Sequence, residues 1–353
     1  MEKTRVAAQP KLTLPFSDVL IGTKGLKKYY PLTKGFFSRP SGWVKAVDNI
    51  TFSIGKGETL GVVGESGCGK STLGKTLLRL IEPTEGETFI GGKNIYKQKG
   101  ASIRKLRRQA QIIFQDPYSS INPRMKIGTT LVEPMRYHNI CDANERYDRA
   151  IELLKMVGLD EAYMSRYPHE MSGGQLQRIG IIRALVVDPE FIVCDEVVSA
   201  LDVSIKAQIL NLLADLRSTF NLTMFFISHD LGVVRHISDR VAVMYLGEFV
   251  ELADKKDLFI KPLHPYTEAL LSAIPVANPE IQASRTPIIL KGDVPSCDNP
   301  PSGCRFHTRC LYMKDKCVKE KPPLVNININ NPEKREHLVS CHYAEQLNLV
   351  VEY

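Results

Sequence analysis

The chain has 353 residues and no apolar run of the roughly 18 residues needed to cross a bilayer, so no transmembrane helix is expected. Its first residues, MEKTRVAAQPKLTLPF, lack the apolar core of a secretory signal, and the protein is expected to stay in the cytoplasm. Sustained heptads are absent, which argues against long coiled coils. Strong one-sided charge is missing too: 46 basic and 39 acidic residues leave a formal net charge of +7. The densest basic group, Arg104, Lys105, Arg107 and Arg108, reads as a solvated helix face. The eight cysteines include no short C-x2-C pair of the zinc-ribbon kind. Composition is otherwise ordinary for a globular protein, and the length allows two domains or one large domain with an appendage.

What is present is organised around Gly64-Glu65-Ser66-Gly67-Cys68-Gly69-Lys70-Ser71, with Thr72 behind it. The spacing fits the phosphate-loop pattern. A short apolar run, Leu60 to Val63, reads as a buried strand before it. Leu73, Leu77, Leu78 and Ile81 recur at helical spacing after it. Glycines let the backbone curl so that several N–H groups face one anion, and the helix N-terminus adds positive potential. Lys70 would reach the outer phosphates and the Ser71 hydroxyl would ligate Mg²⁺.

The rest of the chain adds candidates one at a time. Residues 1–20 read as a poorly structured lead-in, and a first strand is expected around Val44–Phe52 after a loop from Pro31 to Gly42. Leu26-Lys27-Lys28-Tyr29-Tyr30 stands ahead of that loop, and an aromatic there can stack on a base or simply pack. A strand, Gln111–Phe114, leads to Gln115, which can touch Mg²⁺ or the attacking water, or serve as an exposed turn residue. Pro117 and Pro123 rule out helix through the following loop. Residues 126–167 read as a helical insertion. Ser172-Gly173-Gly174-Gln175 opens a further helix with Ser172 as N-cap.

Phe191–Cys194 is a buried strand ending in Asp195-Glu196. Adjacent carboxylates there suit a cation and a base: Asp195 for Mg²⁺, Glu196 for water. Ser199–Asp202 is a turn before a long amphipathic helix. Thr223–Ile227 is a strand ending near His229, and a last hairpin spans Val241–Ala253. Gln115, Glu196 and His229 thus share the carboxyl ends of strands, where α/β sheets bind ligands. Past residue 260 prolines, glycines and cysteines dominate, which marks a separate C-terminal module.

Together these pieces resemble the nucleotide-binding subunit of an ABC transporter over about residues 20–350. The motifs run in order: phosphate loop 64–71, Q-loop Gln115, signature Ser172–Gln175, Walker B Asp195-Glu196, D-loop Ser199–Asp202 and switch His229. FQDPYSSINPRM, SALDVS, MYLGEFVE, HPYTEALLSAIP and VPSCDNPPSGCRFHTRC are similar to the oligopeptide/dipeptide permease branch, and the long loop before Val44 to its "F" partner. The resemblance implies a P-loop α/β ATPase domain over 20–260, with a helical subdomain at about 116–180, and a C-terminal module over 261–353. It implies ATP and Mg²⁺ as cofactors and Tyr29 as the base-stacking aromatic, with Tyr30 the alternative register. Glu196 would be general base, with Gln115 and His229 at the γ-phosphate and Asp202 in the D-loop. The signature would act in trans on a second ATPase subunit, usually a nonidentical homologue.

Other partners implied are two membrane permease subunits and an external solute-binding protein, with no nucleic acid. The place implied is the cytoplasmic face of the membrane, and the cargo di- or oligopeptides. Importers of nickel or an oligosaccharide use the same subfamily, and an ABC ATPase acting on nucleic acid is the more distant alternative. Two positions depart from the family: Met171 for leucine, a volume-conserving swap, and Val197 for proline, which loosens the turn beside Glu196. Cys304, Cys310, Cys317 and Cys341 gather at the C-terminus. Family members are thought to hold a 4Fe–4S cluster there, with zinc or free thiols as the alternatives.

Overall fold

A computed structural model describes residues 18–32, 41–275, 280, 286–331 and 335–349. The lead-in up to residue 17 and the middle of the aromatic-rich loop, residues 33–40, lie outside the described residues. Two compact units share the chain. One comprises Met1–Gly55, Leu60–Lys93 and His229–Tyr353; the other comprises Lys56–Thr59 and Asn94–Ser228.

In chain order the elements begin with β1 (Val19–Leu32), β2 (Gly42–Gly55), β3 (Thr59–Val63), α1 (Lys70–Leu77), β4 (Glu85–Ile90) and β5 (Lys93–Asn94). The first strand therefore starts at Val19, ahead of the Val44–Phe52 segment expected to come first. Its apolar positions, Leu20, Ile21 and Leu26, are buried. Shifts of register around Gly25 and the Lys27-Lys28 pair break the simple alternation that would mark it in sequence. β1 pairs antiparallel with β2, Tyr29 opposite Lys45, and with β4 on its other side. Tyr29 and Tyr30 thus sit on a strand rather than ahead of the sheet.

Next come α2 (Ala101–Gln109), β6 (Ala110–Ile113), α3 (Pro117–Ser120), α4 (Ile127–Tyr137), α5 (Ala143–Met156), α6 (Gly173–Leu185), β7 (Phe191–Asp195), α7 (Val203–Phe220) and β8 (Thr223–Ile227). α3 corrects the expectation of a helix-free loop. Pro117 occupies its first turn, where no N–H is needed, and the Asp116 carboxylate caps it by accepting from Tyr118 and Ser119 N–H. β6, β7 and β8 run parallel, with Ile113 beside Cys194 and Asp195 beside Ile227. Their middles are apolar on both faces: Phe191, Val193, Phe225 and Phe226 are wholly buried, as in a parallel sheet covered on both sides. Leu131, Met135, Leu154, Leu176 and Ile179 form a second core among α4, α5 and α6.

The chain closes with α8 (Leu231–Ile237), β9 (Arg240–Tyr245), β10 (Glu248–Asp254), α9 (Lys255–Ile260), α10 (Pro265–Ser272), α11 (Asp315–Lys319), β11 (Val325–Asn326) and β12 (Leu338–Val339). β3 lies parallel to β9, which turns at Gly247 into β10. The expected hairpin is present, but it is not the last: β12 and then β11 extend the sheet beyond β10. No described helix is long and apolar enough to cross a membrane.

Candidate nucleotide site

In the first unit the chain passes from β3 into the phosphate loop and then α1. Gly69 sits at φ +108°, and a Cβ there would lie 1.9 Å from the Ala46 carbonyl oxygen, so no other residue fits. Lys70 is 4% exposed, and its Nζ donates to the carbonyl oxygens of Gly64 at 2.8 Å and Glu65 at 2.9 Å. The ammonium is thus held over the loop it would serve. Cys68 is buried, and burial pushes its thiol up to about 11, which keeps it neutral. Gly247 N–H donates to the Cys68 carbonyl at 2.9 Å, and Asp48 N–H to that of Gly247 at 2.8 Å. The β9–β10 turn therefore braces the loop.

Tyr29 lies half-buried with its hydroxyl on Asp48 and the Lys45 ammonium 6.0 Å from its ring centre. Burial pushes the Asp48 carboxyl up, but the Tyr29 hydroxyl and the Arg305 guanidinium outweigh it and hold the group below the usual carboxylate range. Tyr30 carries the Lys28 ammonium 4.9 Å from its own ring. His229 is exposed, next to Asp230, whose carboxylate caps α8 by accepting from Gly232 and Val233 N–H.

In the second unit Gln115 and Glu196 follow adjacent parallel strands at equal height, because Ile113 pairs with Cys194. Gln115 Nε2 donates to Glu196 Oε2 at 3.0 Å and to Ser199 Oγ at 3.4 Å. Asp195 ends β7 and is buried. Glu196 takes a left-handed φ of +49°, costly for a residue with a side chain, and its N–H reaches the Ile227 carbonyl at 3.1 Å. Val197 behind it is 1% exposed, so its side chain anchors the turn by packing.

Ser172 and Gln175 cap α6 reciprocally: Gln175 N–H donates to Ser172 Oγ at 3.3 Å and Ser172 N–H to Gln175 Oε1 at 2.9 Å. Gly174 packs where a Cβ would lie 2.9 Å from Ile205 Cγ2, whereas the space beside Gly173 is open. Asp202 is the exposed N-cap residue of α7.

Cys304, Cys310, Cys317 and Cys341 line one small cavity of about 20 Å³, with Phe306 and Leu347 among its walls. Burial pushes Cys304 up to about 12 and Cys310 up to about 11, and raises Cys341. The Cys341 sulfur accepts the Tyr343 N–H at 3.4 Å. Among the described residues no group of three or more His, Cys, Asp or Glu side chains is set to hold a single metal ion.

Residues missed in sequence surround the phosphate loop. Arg309 Nη1 donates to both carboxylate oxygens of Glu65, at 3.0 and 2.9 Å. The Tyr266 hydroxyl accepts from Glu65 N–H at 3.0 Å. Arg305 pairs with Asp48 and with Glu248. HPYTEALLSAIP and GCRFHTRC contain these residues, but nothing local says what they touch.

The ABC transporter family model matches residues 47–199, and the model for the oligopeptide/dipeptide transporter C-terminal region matches 250–317. The chain is 50% identical over 332 residues to the oligopeptide transport ATP-binding protein AppF of Bacillus subtilis (strain 168), covering 94% of this chain and 99% of that one. It is 48% identical to the dipeptide transport ATP-binding protein DppF of Haemophilus influenzae, over 86% of this chain and 92% of the relative. Among solved structures, a dimeric ATP-binding cassette in a post-hydrolysis state with ADP and phosphate matches at a TM-score of 0.59. That match has 29% identity and covers 67% of this chain and 98% of the cassette. The chain therefore belongs to the ABC ATPases, as an ATP-hydrolysing transporter subunit of the oligopeptide/dipeptide permease branch.

Proposed function

We propose that this subunit powers uptake of di- or oligopeptides from the cytoplasmic face of the cell membrane. The observation that carries the chemistry is the convergence of Gln115 on the Glu196 carboxylate and of Ser199 on the Glu196 carbonyl. In this reading Glu196 is the general base and Gln115 orients the attacking water. Lys70, with the N–H groups from Gly67 to Thr72, holds the phosphates. Ser71, Gln115 and Asp195 hold Mg²⁺, Tyr29 stacks on the base, and His229 meets the γ-phosphate. Mg²⁺ supplies charge neutralisation at the phosphates.

Ser172–Gln175 and Asp202 act on ATP bound to a second, nonidentical ATPase subunit. The open space beside Gly173 supports close approach of a phosphate. The ATPase domain spans 20–260, and 261–353 is its appended module. The partners are two membrane subunits and an external binding protein. A groove of about 900 Å³ in the second unit, lined by Ser120, Glu133, Arg136 and Arg183, suits a cytoplasmic helix of a membrane subunit.

The thiol cavity supports a 4Fe–4S cluster held by Cys304, Cys310, Cys317 and Cys341. Four cysteines around one hollow, one of their sulfurs receiving a backbone N–H, are the donor set such a cluster uses. Bound there, the cluster would supply a structural staple of four metal–thiolate bonds. Anaerobically purified protein should be brown and contain iron and sulfide; colourless protein with stoichiometric zinc would overturn the assignment.

The nucleotide site is tested with Lys70→Ala and Glu196→Gln. The first should weaken ATP binding, and the second should bind ATP but trap a closed dimer without turnover. Unchanged affinity in the first, or undiminished ATPase in the second, would overturn the assignments.

A further inference from the structure

The Gly64–Glu65 peptide is held from both ends. Its carbonyl oxygen accepts from Lys70 Nζ at 2.8 Å, and its N–H donates to the Tyr266 hydroxyl at 3.0 Å. Tyr266 is wholly buried and cannot drift: its ring centre lies 4.7 Å from that of Tyr245 and 5.3 Å from that of Phe306. The Glu65 side chain is held in turn by Arg309, whose Nη1 bridges both carboxylate oxygens. The two side chains are 8% and 24% exposed, so water competes weakly for the pair. Four residues earlier, Arg305 donates to the Leu246 carbonyl, and the next residue, Gly247, donates its N–H to Cys68 in the loop. The segment Arg305–Arg309 thus braces the loop directly at its start and through the β9–β10 turn at its middle.

A phosphate cradle binds most tightly when its N–H groups already point inward as the ligand arrives. We propose that Tyr266 and Arg309 are positioning residues for the phosphate loop, and that through them the C-terminal segment sets this chain's affinity for nucleoside triphosphate. The proposal rests on the nucleotide-site reading given above. Neither side chain touches the nucleotide in this scheme; each fixes Glu65 and, with it, the carbonyls on which Lys70 rests. Loss of either contact leaves Glu65 free to turn, and the loop must then be ordered at the expense of binding.

The test is equilibrium titration of the full-length chain with the fluorescent analogue mant-ATP and Mg²⁺, well below the melting temperature of each variant. Arg309→Met should weaken binding about tenfold and Tyr266→Phe, which removes one oxygen, about threefold. Glu65→Gln combined with Arg309→Met should bind no more weakly than Arg309→Met alone, because both break the same link. Arg309→Lys should recover part of the affinity. Affinities within about twofold of wild type for both Arg309→Met and Tyr266→Phe, even with lowered melting temperatures, would overturn the proposal and leave these residues a purely structural role. Loss of binding in Lys70→Ala alongside that result would leave the nucleotide site standing. A wild-type chain that fails to bind mant-ATP, or binds it as well after Lys70→Ala, would overturn the nucleotide-site reading and the proposal together.

Discussion

Gln115 Nε2 lies 3.0 Å from Glu196 Oε2, each residue two positions past a pair of neighbours in adjacent parallel strands. The contact joins two motifs 81 positions apart through sheet register alone. Glu196 is held twice more, by its own N–H on Ile227 and by Ser199, whose N–H and hydroxyl both donate to the Glu196 carbonyl. Such a carboxylate can be aimed, at the cost of a left-handed backbone.

Gln115→Ala should therefore lower turnover more than it weakens ATP binding, because Glu196 loses its aim while Lys70 and the phosphate loop still hold the phosphates. A fall of roughly tenfold is expected, smaller than the hundredfold or more expected for loss of the base itself in Glu196→Gln. Single-turnover phosphate release beside a binding titration separates the two effects. Equal losses of affinity and rate would count against this role for Gln115.

Gly69→Ala should cost stability as well as nucleotide binding. The added carbon would lie 1.9 Å from the Ala46 carbonyl oxygen, and the site requires φ +108°. A loss of about 2 kcal/mol or more is expected in urea unfolding, with nucleotide binding abolished. Gly67→Ala, where the space is open, should be milder despite φ +79°.

His264 should make the fold sensitive to mild acid. It is 1% exposed, and its Nδ1 accepts from Tyr266 N–H at 3.1 Å, capping α10. Burial pulls its pKa from the ordinary 6.5 down to about 4, against the pull of the Glu251 carboxylate the other way. Since the unfolded chain binds the proton first, the stabilisation is complete above pH 6.5 and is lost as pH falls toward 4. His264→Asn keeps a capping oxygen and should flatten this window. Urea midpoints of the two proteins across that range provide the check, and parallel curves would refute the assignment.

The cavity thiols should be slow to alkylate in protein prepared without iron. Burial pushes Cys304 up to about 12 and Cys310 up to about 11, so little thiolate forms near neutral pH. Iodoacetamide should modify the exposed Cys141 on the order of a hundredfold faster or more. Time-resolved mass spectrometry of the labelled peptides reads the ratio, and comparable rates would contradict the burial described for the cavity.

The phosphate loop, the capped signature helix and the buried strands that end at Asp195 and Ile227 are legible because each is local chemistry: glycine spacing, a capping serine with Gln175, unbroken apolar runs. β1 was not legible as a strand, since its irregular pairing hides the alternation that would reveal it. α3 reads as loop in sequence because Pro117 breaks helices everywhere except in the first turn, and the Asp116 cap seen in the fold shows that a first turn begins there.

The motif order and the branch of ABC ATPases to which the chain belongs are written in the sequence. Which distant residues meet follows from how the chain packs. Arg309 reaches Glu65 across 244 positions and Tyr266 reaches the same residue across 201. Those contacts exist because Tyr266, Phe306 and Tyr245 pack their rings together and carry the C-terminal segment onto the phosphate loop. Packing of this kind depends on shape in three dimensions, which no periodicity or spacing along the chain encodes.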